Sequence, residues 1–189
     1  MKKNILIIVC SILLLAAAIV FYMYVNSMPV ENEKVGNEVE NQVVVEEEGS
    51  KTKDLENVEY TDFSVYTSDD TEVKLSEHKD KAAMLLFFDP NNPDSMEVLD
   101  KVESMYSNYE DKIEFFMINT AEKVGTSLDD EYTIEIYYDT YKEAAQNYNI
   151  TEVPSMIYID KQNEVFNAKS GFTTTDALEA NLDILSENI

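Results

Sequence analysis

The sequence contains no arginine, and its 14 basic residues are all lysines set against 38 acidic residues, giving a formal net charge of −24. Such a charge repels a phosphate backbone. Without arginine, the chain also lacks the side chain that best makes paired hydrogen bonds to phosphate or guanine. The composition therefore excludes binding to nucleic acid.

Cysteine and histidine each occur only once, as Cys10 and His78. Zinc fingers and iron–sulfur clusters need several such ligands, and an intramolecular disulfide needs a second cysteine. His78 lies among charged residues, so we interpret it as a surface side chain, and a single histidine of this kind argues against a Ser-His-Asp triad. With only four glycines, the chain has no glycine-rich phosphate loop. We predict no bound metal and no cofactor.

Two weaker metal alternatives remain at the sequence level. A calcium site would draw on four aspartates that lack the spacing of a dedicated calcium loop: Asp89, Asp94, Asp129 and Asp130. Met96 and Met105 carry thioether sulfurs that could bind copper, but their helical spacing favours packing in a core. We interpret the aspartates as solvated acids and the methionines as core residues.

Residues 1–25 are predicted to form a cytoplasmic stub and a transmembrane signal anchor. Lys2 and Lys3 precede residues 5–25, a run of 21 residues without charge or proline. At about 1.5 Å per residue, this run spans roughly the 30 Å of a hydrocarbon core, and it exceeds the ~7–15 apolar residues of a cleaved signal peptide. The two lysines place the N-terminus in the cytoplasm. We expect a single-pass protein of the cell membrane with its C-terminal domain extracytoplasmic; cleavage near Asn26-Ser27 is the alternative.

Residues 26–57 contain nine acids, three lysines and no aromatic residue. This composition cannot bury enough apolar surface to offset the entropy cost of ordering the chain. We therefore predict an acidic flexible tether, with the three valines at 43–45 as an alternative short strand or docking patch.

Residues 58–189 hold 17 of the 20 aromatic residues and are predicted to form the folded domain. Apolar runs between turn signals predict strands at 62–66, 72–75, 82–88, 113–118, 133–138, 155–159 and 164–168. Helical spacing predicts helices after Asn92 as far as Tyr109, at 142–148 and at 178–189. Strands that alternate with helices and end in a hairpin indicate an α/β fold, a mixed sheet flanked by helices.

The order of these motifs resembles a known family. The segment MLLFF at 84–88 runs into a polar loop and a helix, VPSMIYID at 153–160 forms a loop and the next strand, and Gly171 precedes the last helix. Across residues 62–185, this order resembles the thioredoxin-like fold of membrane-anchored extracytoplasmic thiol–disulfide oxidoreductases of the TlpA or redoxin type. The resemblance implies that Pro154 is a cis-proline facing the active-site loop. It also implies that Val153 offers backbone groups to an extended peptide.

The chain departs from the family where the family carries Cys-x-x-Cys. The corresponding loop consists of Asn92, Pro93, Asp94 and Ser95. Dithiol chemistry needs one thiolate to attack and a second sulfur to resolve the mixed disulfide, and asparagine and serine supply neither. We therefore predict a degenerate active-site loop with no catalytic residue.

Both retained motifs have a structural and a functional interpretation. Asparagine is a good N-cap, proline suits the first helical position and an acid suits the first turn, so the loop at 92–95 can serve only as a helix start. Alternatively, the helix-terminal amides and Asn92 form a small polar binding spot. Val153 and Pro154 likewise serve either the fold alone or a groove that holds a polypeptide.

Three functions follow from these observations. The leading hypothesis is a redox-inactive, membrane-anchored adaptor that holds a polypeptide partner outside the membrane, with Phe87 and Phe88 near the loop as possible contacts. The second is a thiol–disulfide oxidoreductase acting in cell redox homeostasis, as the resemblance would imply. The third is an accessory protein of a peptide export or secretion system.

Overall fold

The computed structural model of the protein describes residues 49–77, 81–121 and 128–187. The predicted membrane anchor, residues 26–48 of the predicted tether and His78 lie outside these ranges. Within them, no helix is both long and apolar enough to cross a membrane.

The described residues form one eight-stranded sheet flanked by helices. The strands are β1 (Lys51–Asp54), β2 (Ser64–Tyr66), β3 (Glu72–Lys74), β4 (Ala82–Phe88), β5 (Ile113–Asn119), β6 (Ile136–Tyr138), β7 (Ser155–Ile159) and β8 (Val165–Phe172). The helices are α1 (Pro93–Tyr109), α2 (Glu143–Asn147) and α3 (Thr175–Glu187), with short 3-10 turns at Leu75–Glu77 and Leu128–Asp130.

The strand order is β1-β8-β7-β4-β5-β6-β2-β3. Strands β4, β5 and β6 run parallel, and the other pairs are antiparallel. The predicted α/β mixed sheet is confirmed.

The central strand β4 is buried along its whole length because helices or loops cover both faces of the sheet. Met84 and Leu86 point into one core with α1 and α3. Leu85 and Phe87 point into a second core on the other face, together with α2. The continuous apolar run at 82–88 therefore becomes a strand with the predicted bounds, as does the run at 155–159.

A long extended connection helps to cover this second face. Strands β1 and β2 are six intervals apart in the sheet, which is about 29 Å at a spacing of ~4.8 Å. Residues 55–63 join them, and the ten Cα-to-Cα steps from Asp54 to Ser64 reach only about 33–36 Å when fully extended. The connection therefore crosses the sheet almost straight, and Leu55, Val58, Tyr60 and Phe63 pack into the second core. We call residues 55–63 the strap.

The folded domain begins earlier than the sequence indicates. Strand β1 falls within the predicted tether, yet it pairs with β8 from Lys51↔Phe172 to Asp54↔Lys169. The boundary predicted at residue 58 is therefore wrong on the structure, and ordered chain extends back to at least Gly49. Because β1 is held by backbone pairing and its side chains are mostly exposed, its composition carries no apolar signal.

Of the other strand boundaries, two differ from the prediction by three or more residues. Strand β6 begins at Ile136 because the Glu103 carboxylate accepts hydrogen bonds from the backbone N–H groups of Thr133 (2.8 Å) and Ile134 (3.1 Å). Strand β8 continues to Phe172, four residues beyond the predicted end, because β1 provides a second partner there.

Candidate functional site

The loop that resembles a degenerate active site connects β4 to α1. Asn92 is the N-cap of α1, with extended backbone angles of φ −100° and ψ 115°. Its side-chain Oδ1 accepts hydrogen bonds from the backbone N–H groups of Asp94 (2.9 Å) and Ser95 (3.2 Å). Pro93 occupies the first helical position. The cap predicted from the sequence is therefore present.

The same asparagine joins this loop to the loop before β7. Its Nδ2 donates a hydrogen bond of 3.0 Å to the carbonyl oxygen of Val153. The Val153-Pro154 peptide bond is cis, as the resemblance implies. The structure thus brings the two loops predicted as a site, 92–95 and 153–154, together through the contact of Asn92 with Val153, at the end of strand β4 and the start of β7.

The start of α1 has no free amide for a ligand. Pro93 has no N–H, and the N–H groups of Asp94 and Ser95 are taken by the Asn92 side chain. The N–H of Met96 donates to the Asn92 carbonyl at 3.1 Å. The alternative of a polar binding spot made of helix-terminal amides is therefore not supported, since each of these groups is already paired within the protein.

Ser95 is the one group at this helix start that is not satisfied. It is fully buried, and its hydroxyl has no hydrogen-bond partner in the described part of the chain. A buried hydroxyl without a partner costs stability because it loses its hydrogen bonds to water. The sequence does not indicate this, since burial of the third helical residue depends on packing against the sheet.

A hydrogen-bonded cluster around Glu152 was not predicted. One carboxylate oxygen of Glu152 accepts from Ser170 Oγ at 2.7 Å and forms an ion pair of 2.5 Å with Lys53 Nζ. The Lys53 ammonium and the Ser170 hydroxyl hold the pKa of this carboxyl below its ordinary value. The sequence indicates only that Glu152 lies directly before Val153-Pro154. Its partners, Lys53 and Ser170, could not be predicted because they lie on strands that are distant in the sequence.

Polar residues after β5 and β6 complete this edge of the sheet. Asp139 is almost fully buried and accepts hydrogen bonds from the N–H groups of Ala144 (3.2 Å) and Ala145 (2.9 Å) at the start of α2. The ammonium of Lys142 donates to the carbonyl oxygen of Thr120. These hydrogen bonds hold the neighbouring loops in place. Asp139 and Lys142 are therefore interpreted as structural residues.

The aromatic residues expected near the loop are not available to a partner. Phe87 and Phe88 are both 0% exposed, because consecutive residues of a central strand point into the two cores. The expectation that they contact a partner is wrong. Tyr141 is instead 71% exposed and packs edge-on against Tyr66, with ring centroids 5.4 Å apart.

The described residues hold no group of three or more histidine, cysteine, aspartate or glutamate side chains placed to bind a metal ion. The carboxylate of Asp89 accepts from the backbone and side-chain nitrogens of Asn91, at 2.8 and 2.9 Å. Met105 is buried in the first core and Met96 packs against it, which confirms their interpretation as core residues.

Comparison with known proteins identifies the family. A sequence profile for the thioredoxin-like domain matches residues 69–185. No curated protein matches the chain. Three solved structures illustrate the likeness in fold. A thiol:disulfide interchange protein of the thioredoxin family from Chlorobium tepidum is 17% identical, with a TM-score of 0.59 over 70% of this chain and 99% of that one.

The exposed lipoprotein thioredoxin of Streptococcus pneumoniae is 20% identical, with a TM-score of 0.55 over 66% of this chain and 100% of that one. StoA from Bacillus subtilis is 18% identical, with a TM-score of 0.54 over 65% and 96%. These likenesses establish the fold, and the profile match covers more than half of the sequence. The chain belongs to the thioredoxin-like domain family.

Proposed function

We propose that this protein is a redox-inactive thioredoxin-like adaptor, anchored in the membrane, that binds a polypeptide partner on the outer side. The observation that carries the proposal is the Asn92 side chain, which joins the start of α1 to the Val153 carbonyl. The two loops that define the family's active-site edge thus remain side by side, although neither contains sulfur.

A thiol–disulfide oxidoreductase is the second candidate, and membership of the thioredoxin-like family favours it. The sulfur content opposes it, because the sequence has a single cysteine, Cys10, located in the predicted membrane segment. One thiol cannot complete the attack and resolution steps of dithiol exchange. The adaptor therefore accounts better for the loop at Asn92.

The edge offers a partner one backbone group and several polar side chains. The N–H of Val153 has no hydrogen-bond partner among the described residues, whereas its carbonyl is taken by Asn92. Strand addition at this residue would gain a single backbone hydrogen bond rather than a pair. Most of the contact would fall on exposed side chains around the loop, including Asp94 and Asn91.

Membrane anchoring is the remaining part of the proposal. Two lysines before a 21-residue uncharged run favour a single-pass anchor with the acidic remainder outside. Protease added to right-side-out vesicles should digest the domain, and the mass of the extracted protein should match the uncleaved chain. A mature chain beginning near Met28 would contradict the anchor.

Partner binding is tested by photo-crosslinking in producing cells. A photoreactive residue at exposed position 94, beside the loop, should form a discrete polypeptide adduct. The matched control is position 111, an exposed aspartate in the turn between α1 and β5 at the opposite end of the strands. Absence of an adduct at 94, or the same adducts at both positions, would argue against a binding edge at the loop.

A further inference from the structure

Strand β1 falls in the C-terminal part of the predicted tether, and its contacts go beyond backbone pairing with β8. The residue opposite Thr52 is Gly171, which has φ +100°. A Cβ atom at Gly171 would lie 2.3 Å from the carbonyl oxygen of Lys51. The absence of a side chain at 171 is therefore what lets β1 approach β8 this closely.

Two ion pairs link the side chains of β1 to the rest of the domain. Lys53 Nζ lies 2.5 Å from Glu152 Oε1, and Asp54 Oδ1 lies 2.7 Å from Lys169 Nζ. The first pair links β1 to the residue directly before Val153-Pro154. The second links it back to β8, its own partner strand.

The contacts continue from Glu152 to the start of α1. The Glu152 carbonyl accepts from Ser155 Oγ at 2.8 Å, and the Pro154 carbonyl accepts from the Gly171 N–H at 2.8 Å. The next carbonyl before Pro154, that of Val153, accepts from Asn92 Nδ2. An unbroken series of contacts therefore runs from β1 through the loop at 151–154 to the degenerate active-site loop.

We propose that β1 is a docking strand that positions the loop at 151–154, so that the partner-binding edge is complete only while Lys51–Asp54 is paired with β8. The dependence of partner binding on β1 rests on the proposed function. The positioning of the loop at 151–154 by β1 rests on the contacts alone. In sequence, the predicted anchor and tether lead directly into β1, so release of β1 would loosen the edge that holds the partner.

The attachment of β1 is suited to opening. None of its four side chains is buried, and the Lys53 and Glu152 side chains are 63% and 44% exposed. Exposed ion pairs contribute little and weaken with salt. Segments with few buried contacts open more readily than central strands, so β1 should detach while β4 and β7 stay intact.

Backbone ¹⁵N relaxation of the full-length protein, read by NMR, tests the positioning. Lys53→Glu places a like charge beside Glu152 and should lower the order parameters of residues 151–153 from the rigid value of about 0.85 toward about 0.6. Lys51→Glu is the matched control, because it makes the same charge change on the same strand at a residue with no ion pair among the described residues. The swapped double variant Lys53→Glu, Glu152→Lys should restore the high order parameters.

Lower order parameters confined to β1 and β8, with residues 151–153 unchanged, would overturn the positioning role, as would equal effects of Lys51→Glu and Lys53→Glu. This measurement needs no partner, so its failure leaves the proposed adaptor function standing. Crosslinking from position 94 tests the consequence: the Lys53→Glu variant should form about two- to threefold less adduct than Lys51→Glu, as the loss of a surface pair predicts, and the swapped variant should regain it. An undiminished adduct despite a loosened loop would overturn the dependence of binding on β1.

Discussion

Ser95 and Ser155 are two fully buried serines with opposite hydrogen-bonding states. The Ser95 hydroxyl has no partner in the described structure, whereas Ser155 Oγ donates to the Glu152 carbonyl at 2.8 Å. Ser95 stands where the thioredoxin-like family carries its second active-site cysteine, according to the resemblance. A buried thiol there would need a hydrogen bond less than a hydroxyl does, because sulfur is a weak donor.

Replacing Ser95 by alanine should therefore raise the free energy of unfolding by about 1 kcal/mol, because it removes a buried group that lost its water without gaining a partner. Ser155→Ala should lower it by about 1 kcal/mol, because it removes a satisfied bond and leaves the Glu152 carbonyl without that donor. Urea unfolding of both variants provides the comparison. Destabilisation by Ser95→Ala would show that the hydroxyl finds a partner in solution.

Asn92 combines two functions that can be separated by substitution. Asn92→Ala removes the cap and the bond to Val153, and should cost about 1–2 kcal/mol in unfolding free energy. Asn92→Asp keeps an oxygen that accepts from Asp94 and Ser95 but loses the Nδ2 donor. We expect an intermediate loss of unfolding free energy, with lower NMR order parameters at residues 151–153. If aspartate and alanine are equally destabilising, the cap contributes nothing measurable.

The loop at 92–95 should support dithiol chemistry when cysteines are introduced at its two ends. Positions 92 and 95 are the N-cap and third residue of α1, and this spacing can bring Cα atoms within the ~4.4–6.8 Å that a disulfide accepts. In a Cys10→Ser background, Asn92→Cys combined with Ser95→Cys should form an intramolecular disulfide and gain weak disulfide-reductase activity. The helix start should lower the pKa of the new thiol at 92.

The control for this prediction is the unmodified protein, which should show no reductase activity above background. Strong activity there would contradict the redox-inactive proposal. A folded double variant that forms no disulfide would instead show that the loop does not correspond to the family's active site.

At the scale of elements, strand β1 and the strap show two ways in which the segment before β2 becomes part of the folded domain. Strand β1 contributes backbone hydrogen bonds at the edge of β8, and the strap contributes Leu55, Val58, Tyr60 and Phe63 to the second core. Short α2 covers only part of that face. The strap therefore takes the place that a longer helix would fill.

Gly171→Ala should destabilise the domain by about 1–3 kcal/mol and release β1, because the added Cβ meets the Lys51 carbonyl at 2.3 Å. The matched control is Gly49→Ala, at φ +111°, where the nearest atom to an added Cβ is Thr174 Cγ2 at 3.5 Å. That substitution should cost backbone strain alone. Thermal unfolding and amide exchange of residues 51–54 measure both effects. Equal losses in the two variants would mean that the approach of β1 does not depend on Gly171.

At the scale of the whole molecule, buried tyrosines determine how the stability of the domain responds to alkaline pH. Burial raises the pKa of Tyr148 to about 12 from an ordinary value of 10.0. Burial also raises the pKa of Tyr137 and Tyr158 above the ordinary value. The folded state thus prefers the neutral phenols, so their contribution to stability is complete below pH 10.0 and is lost as pH rises through the folded pKa.

We therefore expect the domain to unfold in alkali, with tyrosinate absorbance and loss of secondary structure rising together above pH 10.0. Tyr148→Phe should move the alkaline midpoint upward, because one of the groups that drives unfolding is removed. It also loses the hydrogen bond from the Thr61 N–H, which unfolding at neutral pH measures separately. Titration of all twelve tyrosines, the buried ones included, in a domain that keeps its circular dichroism would contradict this account.

The sequence by itself determined the parts of this protein that depend on local pattern. The apolar runs at 82–88 and 155–159 fixed two central strands, the residue order at Asn92 and Pro93 fixed a capped helix start, and a single cysteine fixed the absence of a dithiol. The strands and the cap follow from neighbouring residues, because strand burial and helix capping depend on residues a few positions apart. The absence of a dithiol follows from the cysteine count alone.

The tertiary structure alone decided the contacts between distant segments. Pairing of β1 with β8, the bond from Asn92 to Val153 and the ion pair of Lys53 with Glu152 join residues that are far apart in the chain. It also decided that Phe87 and Phe88 are inaccessible and that the Ser95 hydroxyl has no partner in the described structure. Backbone pairing at an edge needs no particular side chain, and the burial of one side chain depends on every element packed around it, so neither leaves a local mark in the sequence.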